Sequence, residues 1–441
     1  MKTRWMGEDE MLSMLEEAIA LSSADQTEIG LSVGSWALTR FANSYIHQNM
    51  ASQSIQAHVR AVFGKKVATA YSTINDREGL KELVRRAVEL AKHQDDNPDF
   101  VSLPEPSLPA ARPEEATGYS EETAACSAEE RASIVQAIIK ENDRVSASAA
   151  GSLGTWAFER ATANSLGIRS YYRSTLAKVT TVSTGPDGGF GYALATSVSI
   201  EDIDPTAVGR EAAKTARASA NPIEISPGEY ECVLSPYAAS EVIESFVHTG
   251  FWARAFQEGR SFVCGKLGEQ VVGPNVTIWD DALDPRTLVT PYDAEGVPKQ
   301  RVNLLEKGIA TGLLYDSYAA HREGKKSTGH AGGFNPIMMP GDATVEQMIQ
   351  STERGLFVTR FHYTNVAHLM TATITGMTRD GTFLIENGRI AKPVKNLRFT
   401  QSLLEALSNV DMIGKDLKLV DSTLAPALKI KKWRFVSATE F

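Results

Sequence analysis

Glu244 and His248 stand four residues apart in the run ESFVH, a spacing that on a helix stacks a carboxylate and an imidazole on one face. Such a pair can chelate a metal from one side. It can equally be an ordinary polar pair facing a cleft or a partner, and that reading is preferred because two ligands alone hold zinc poorly. A metal site completed by His330, His362 or His368 is the alternative, although isolated histidines beside strand ends are more often structural. Phe251 and Trp252 follow on the chain and suit a partner contact or the core. The run STGHAGG at 327–333 can expose backbone N–H groups to a peptide or anion, which makes Thr328, Gly329 and His330 candidates for a substrate-cradling loop; a turn-rich connector reads the same way. Cys126, Cys232 and Cys264 have no activating neighbour in sequence, so structural filling is preferred to nucleophilic chemistry.

The element that must position Glu244 and His248 is marked at its start. Ser235 can cap a helix and Pro236 fits its first position. Ala239, Val242, Ile243, Phe246, Gly250 and Ala253 then recur at three- and four-residue steps as one buried stripe, leaving Glu241, Glu244, Ser245, His248 and Trp252 on the other face.

Before it, 9–22 reads as an amphipathic helix, 26–48 and 55–71 as alternating strands, and 78–93 as a helix capped by Asn75 or Asp76. Pro98, Pro104, Pro106, Pro109 and Pro113 make an extended connection, and a capped helix follows at 129–143. RFANS at 40–44 is echoed by RATANS at 160–165, each leading into strands and then a helix near Asp76 or Pro205; two related halves or two unrelated antiparallel units give that order. After Asn221-Pro222 and Pro227-Gly228, strands are expected at 229–234, 276–279, 301–307, 312–315, 356–363, 371–377 and 381–386. Tight turns are expected at 306–308, 379–381 and 386–388. The expected fold class is α+β: an amino-terminal α/β lobe at 1–115, a second α/β lobe at 116–222, and a mainly antiparallel β lobe at 223–441 carrying the one prominent helix.

The chain has 441 residues, 42% hydrophobic and 22% charged, which suits a globular protein of two or three lobes. A formal charge of −9 argues against a nucleic-acid surface. Lys325-Lys326 and the lysines of 429–432 read as solvated surface. No signal-like amino terminus and no window of roughly 18 uninterrupted apolar residues occurs. Three widely spaced cysteines suit a reducing compartment, and a cytoplasmic location is expected.

Six blocks carry a resemblance to a known family: GKLGEQV at 265–271, VTIWDD at 276–281, DAEGVP at 293–298, LLEKGI at 304–309 leading to GLLYD at 312–316, STG at 327–329, and TFLIENG at 382–388. In order and spacing they resemble the TldD/PmbA family, whose TldD and TldE subunits form a cytoplasmic peptide-processing metalloprotease. TldD members carry His-Glu-x-x-x-His on the helix described above and a late cysteine, which together hold one zinc. Counting back from Gly265 places Glu244, Ser245 and Thr249 at those helix positions, and 409–428 contains no cysteine. The resemblance therefore implies a TldE-type, zinc-less subunit, inactive alone. It would pair with a TldD-like partner that carries the zinc, and would help form a cleft for unfolded or extended peptides, with no cofactor of its own. Glu244, His248, Trp252, Thr328, Gly329 and His330 are the candidate cleft residues. The alternatives are a self-sufficient metallopeptidase with a rebuilt metal site and a non-enzymatic peptide-binding homodimer.

Overall fold

Alternation along the first 200 residues builds one sheet. The computed structural model describes residues 5–74, 76–107 and 118–439. Asn75, Pro109, Pro113 and the expected boundary at 115/116 lie outside the described residues. Strands β1 (Gln26–Ala42), β2 (Tyr45–Phe63), β3 (Lys66–Thr73), β4 (Ser148–Asn164), β5 (Arg169–Thr184) and β6 (Phe190–Ser197) form an antiparallel sheet in the order β3-β2-β1-β4-β5-β6. The two strand triplets meet at β1 and β4, whose register pairs Trp36 with Trp156. The echoed motifs both fall at the first hairpin of their triplet: Asn43 and Ser44 turn β1 into β2 with φ of 51° and 57°, and Ser165 follows β4.

Odd-numbered residues of β1 and β4 face the helices. Ile29, Leu31 and Val33 pack with Met11 and Leu15 of α1 (Glu8–Ala20) and Leu80 and Val84 of α2 (Arg77–Lys92). Leu153 packs with Val135 and Ile138 of α4 (Ala128–Asp143) and Val208 and Ala212 of α5 (Pro205–Ala218); the short α3 (Glu121–Ala125) precedes α4. Because side chains alternate along a strand, Glu28, Arg60, Arg160 and Tyr172 lie on the opposite face, towards the carboxy-terminal lobe. Asp76 caps α2 through its side chain, and Ser127 caps α4 in a reciprocal box with Glu130.

In the carboxy-terminal lobe β7 (Gly228–Leu234) enters α6 (Pro236–Gly250) directly, followed by α7 (Ala253–Gln257). A loop-rich excursion carries the short strands β8 (Ile278–Asp280), β9 (Val302–Glu306), β10 (Ile309–Ala310) and β11 (Pro336–Met338), with α8 (Ser317–Arg322) and α9 (Val345–Gln350). Then come β12 (Arg354–His368), β13 (Thr373–Glu386), β14 (Arg389–Pro393), β15 (Leu397–Ser402), α10 (Leu403–Ser408), β16 (Val410–Val420) and β17 (Thr423–Ala438). Strands β7, β12, β13, β15 and β17 are neighbours in that order, and β17 also pairs with β7, so these five close into a ring. Phe361, Phe399 and Trp433 pack together in its core, with centroids 4.6 to 5.3 Å apart.

Three expectations are corrected. Residues 312–315 are no strand and contribute an isolated bridge between Leu314 and Trp252. The expected turn at 379–381 is a kink inside β13, where Asp380 and Gly381 take φ of 54° and 121° without ending the strand. Lys429 is 2% exposed, its ammonium held by Glu231 at 2.9 Å and Asp411 at 3.3 Å, because it sits on β17 where that strand is covered on both faces; Lys431 and Lys432 are exposed as expected.

Candidate functional site

Helix α6 begins where Ser235 accepts a hydrogen bond from the N–H of Tyr237 at 3.2 Å, with Pro236 at the first position. Its apolar stripe is buried: Ala239, Val242, Ile243 and Phe246 are each 0% exposed. Gly250 packs against Phe262, whose ring contacts Phe246 at 4.7 Å between centroids. Glu244 and His248 lie on the open side, with Glu241 and Trp252 half-buried beside them.

Around these residues two recesses meet. In the first, Glu241 accepts a short hydrogen bond from the hydroxyl of Thr364, and burial pushes its carboxyl up to about 7 against the pull of that bond and of Arg360. Desolvation and then Asp421 raise the Glu244 carboxyl, while His248 lowers it. Tyr192 and Tyr237 complete the wall, with the Arg360 guanidinium 4.1 Å above the Tyr192 ring. Lys178 of β5 pairs with Asp421, so the central sheet is tied to the turn between β16 and β17.

Ser422 of the same turn lines the second recess, a cleft of about 430 Å³ whose wall includes Arg160, Tyr172, Tyr292, Asp293, Lys299 and Phe334. Phe334 of this wall faces α6: its ring lies 6.4 Å from that of His248, near parallel, and 5.7 Å from that of Trp252, edge-on. Asp293 organises the rim. It accepts backbone N–H bonds from Glu295, Val297 and Ala331, each at 2.9 Å, yet burial pushes its carboxyl up to about 7. Lys299 is 4% exposed, and burial lowers its ammonium below the ordinary lysine range.

Of the sequence-derived candidates, Glu244, His248 and Trp252 come together on α6 beside Phe334. Thr328, Gly329 and His330 sit behind the cleft wall. His330 is 1% exposed, its Nε2 2.7 Å from Asp280 and its Nδ1 2.9 Å from Thr328, while the N–H of Tyr315 donates to the Thr328 hydroxyl at 2.9 Å. Gly329 has φ of 73°, and a Cβ there would lie 2.4 Å from the Pro298 carbonyl oxygen. From that loop Gly332 and Gly333 reach the cleft. The His362 ring lies 4.4 Å from that of Tyr363 at a tilt of 57°, and His368 lies 3.0 Å from the Thr371 hydroxyl. Among the described residues no three His, Cys, Asp or Glu side chains gather closely enough to hold a metal ion. Burial raises the thiols of Cys126 and Cys232, the opposite of activation. Sequence reasoning missed Tyr172, Tyr292, Lys299 and Phe334, because no local spacing links residues that only tertiary folding assembles; Arg160 enters it only through the echoed motif at 160–165 and Asp293 only through the block at 293–298.

At the three helix positions of the family motif stand Glu244, half-buried Ser245 and Thr249, which is 1% exposed. The Thr249 hydroxyl donates to the Ser245 carbonyl at 2.8 Å and so is engaged by its own helix. No helix among the described residues is long and apolar enough to cross a membrane.

Comparison with known proteins agrees over nearly the whole length. The metalloprotease PmbA of Escherichia coli O157:H7 is 24% identical over 444 residues, covering 96% of this chain and 95% of that protein. A metalloprotease TldD homolog of Haemophilus influenzae is 26% identical over 249 residues, 54% of this chain and 51% of its own length. The fold matches the crystal structure of TldE from Thermococcus kodakarensis with a TM-score of 0.86 at 19% identity, over 97% of this chain and all of that one. Residues 27–91 match the family model of PmbA/TldA metallopeptidase domain 1, 106–220 that of the central domain, and 227–437 that of the C-terminal domain. With three domains matched in order and a relative aligned end to end, the chain belongs to the PmbA/TldD metallopeptidase family.

Proposed function

We propose that this chain is the zinc-less, TldE/PmbA-type subunit of a TldD/TldE-like metalloprotease, acting in the cytoplasm, and that its cleft helps receive unfolded or extended peptides. The observation that carries this reading is the occupancy of the three helix positions. Zinc needs neutral imidazole or thiolate donors and an open coordination position, and its hydrolytic water needs a general base. Glu244 offers a carboxylate in place of an imidazole, Ser245 has no basic group, and Thr249 turns its hydroxyl onto a helix carbonyl. The chain retains the helix, the fold and a groove between its lobes while lacking those groups, which is what a subunit that shapes a substrate channel requires.

The test is made on the purified full chain and on whatever it captures from its own cells. The expected result is no stoichiometric zinc and no peptide cleavage by the isolated chain, together with copurification of a partner bearing His-Glu-x-x-x-His and zinc-dependent cleavage by the pair. Stoichiometric zinc that disappears in His248→Ala would overturn the reading in favour of a rebuilt metal site.

A further inference from the structure

The cleft holds two cations that have no carboxylate within salt-bridge distance among the described residues. The ammonium of Lys299 donates to the Gly333 carbonyl at 2.6 Å, and among the described residues no acid lies within salt-bridge distance of it. The acids that act on it from further off are Asp280 and Asp293, and both are already engaged. Asp280 takes His330 on one oxygen and the N–H of Asn335 on the other, while Asp293 accepts three backbone donors. An ammonium offers three donors, so Lys299 keeps hydrogen-bonding capacity beyond its one carbonyl partner. Arg160 of β4 is in the same condition. Its guanidinium donates to the Tyr172 hydroxyl at 3.1 Å and lies 4.5 Å above the Phe158 ring, again with no carboxylate partner among the described residues.

A buried charge is ordinarily paired, and buried Lys299 beside half-exposed Arg160, neither with a carboxylate partner among the described residues, is the arrangement expected where the counter-ion arrives with a ligand. The rest of the wall mixes apolar and aromatic groups, from Leu288, Tyr292 and Phe334, with polar ones, among them Thr290, Asn335 and Ser422, and its one carboxylate among the described residues, Asp293, is held by three backbone donors, so the ligand would carry apolar groups beside its anionic one. We propose that Lys299 and Arg160 form a carboxylate-binding subsite in this cleft, and that the carboxylate it takes belongs to an extended peptide, at its end or on a side chain. This rests on the reading of the cleft as a peptide groove. Phe334 connects the subsite to His248 and Trp252 on α6, so a peptide anchored here by its carboxylate would run along the open face of that helix.

The experiment measures binding of dye-labelled, unstructured peptides to the full chain, together with its copurifying partner where one is captured. One peptide, free of Asp and Glu, is offered with a carboxylate end and with a carboxamide end. A third form has the carboxamide end and one internal Asp, matched by the same peptide with Asn. The expected result is binding of the free acid at least about tenfold tighter than the carboxamide. Lys299→Met removes that preference, and Arg160→Gln, at a half-exposed position, reduces it. Preference for Asp over Asn without a terminal preference also supports the subsite and makes the carboxylate a side chain. Equal binding of all forms to the unaltered chain overturns the subsite while leaving the peptide groove standing. Binding of none of them overturns the groove, and the subsite falls with it. If Lys299→Met does not fold, unchanged preference in a folded Arg160→Gln overturns the proposal.

Discussion

The Glu241 carboxyl lies in the recess beside Tyr192 of the central sheet and accepts a hydrogen bond from Thr364, and burial raises it from 4.5 to about 7. A carboxyl whose folded value exceeds its unfolded one stabilises the fold fully below about 4.5 and loses that contribution as pH rises through about 7. Over two and more units this amounts to something on the order of 3 kcal/mol. Glu241→Gln keeps the acceptor for Thr364 and carries no charge, so unfolding in denaturant is expected to show a flatter stability profile between pH 5 and about 8 than the unaltered chain. An unchanged slope would mean the carboxyl is ionised throughout that range. Lys429 makes the same point in reverse. Removing its ammonium by Lys429→Ala leaves Glu231 and Asp411 facing each other, and a loss of about 3 kcal/mol is expected in the same denaturation experiment. Neither environment is legible locally, since a lysine in the run KIKKW reads as surface until the strand it occupies is known to be covered on both sides.

Helix α6 was the most readable element, because cap, first-position proline and buried stripe agree. Its Gly250 was read only as part of the stripe. A Cβ at that position would lie 2.3 Å from the Phe262 ring, which is 1% exposed and wedged between Phe246 and Phe251. Alanine gains about 1 kcal/mol of helix propensity but overpacks the cluster by 1–3 kcal/mol, so Gly250→Ala is expected to leave stability lowered or at best unchanged, measurable as a fall in the denaturation midpoint. A clear rise would show that Phe262 can move aside. Strands were readable where one face is solvated. They failed where both faces are buried: β17 runs TLAPALKI with no alternation and contains Pro426, which argues against a strand. The pair Asp380-Gly381 misled for a related reason, since left-handed residues serve a kink within a strand as well as the end of one.

At the scale of the molecule, the lobes are joined by ion pairs such as Lys178–Asp421 and Lys418–Glu211, and Arg60 makes another. From β2 it reaches Glu28 of β1 at 2.7 Å and Glu295 of the carboxy-terminal lobe at 2.8 Å, and Glu295 in turn accepts from Ser317. Arg60→Ala would leave two nearly buried carboxylates uncompensated, an expected loss of about 3–5 kcal/mol, and would also admit protease to the junction. Limited proteolysis read by mass checks whether new cuts fall between the lobes. The cleft draws Arg160 and Tyr172 from one lobe and Lys299 and Phe334 from the other, which is why motif reading found α6 and the loop at 327–333 and not the wall between them. The single sheet made by β1 and β4 bears on how the chain is made. Glu28 pairs with Asn164 and Phe41 with Gly151, so the open edge of β1 must wait for more than a hundred further residues to leave the ribosome. At about 5–20 residues per second that interval is on the order of ten seconds, during which a nascent chain offers a long unpaired strand edge to its neighbours. Synthesis of this protein is therefore expected to depend on holding chaperones until β4 arrives, a requirement that its finished fold conceals.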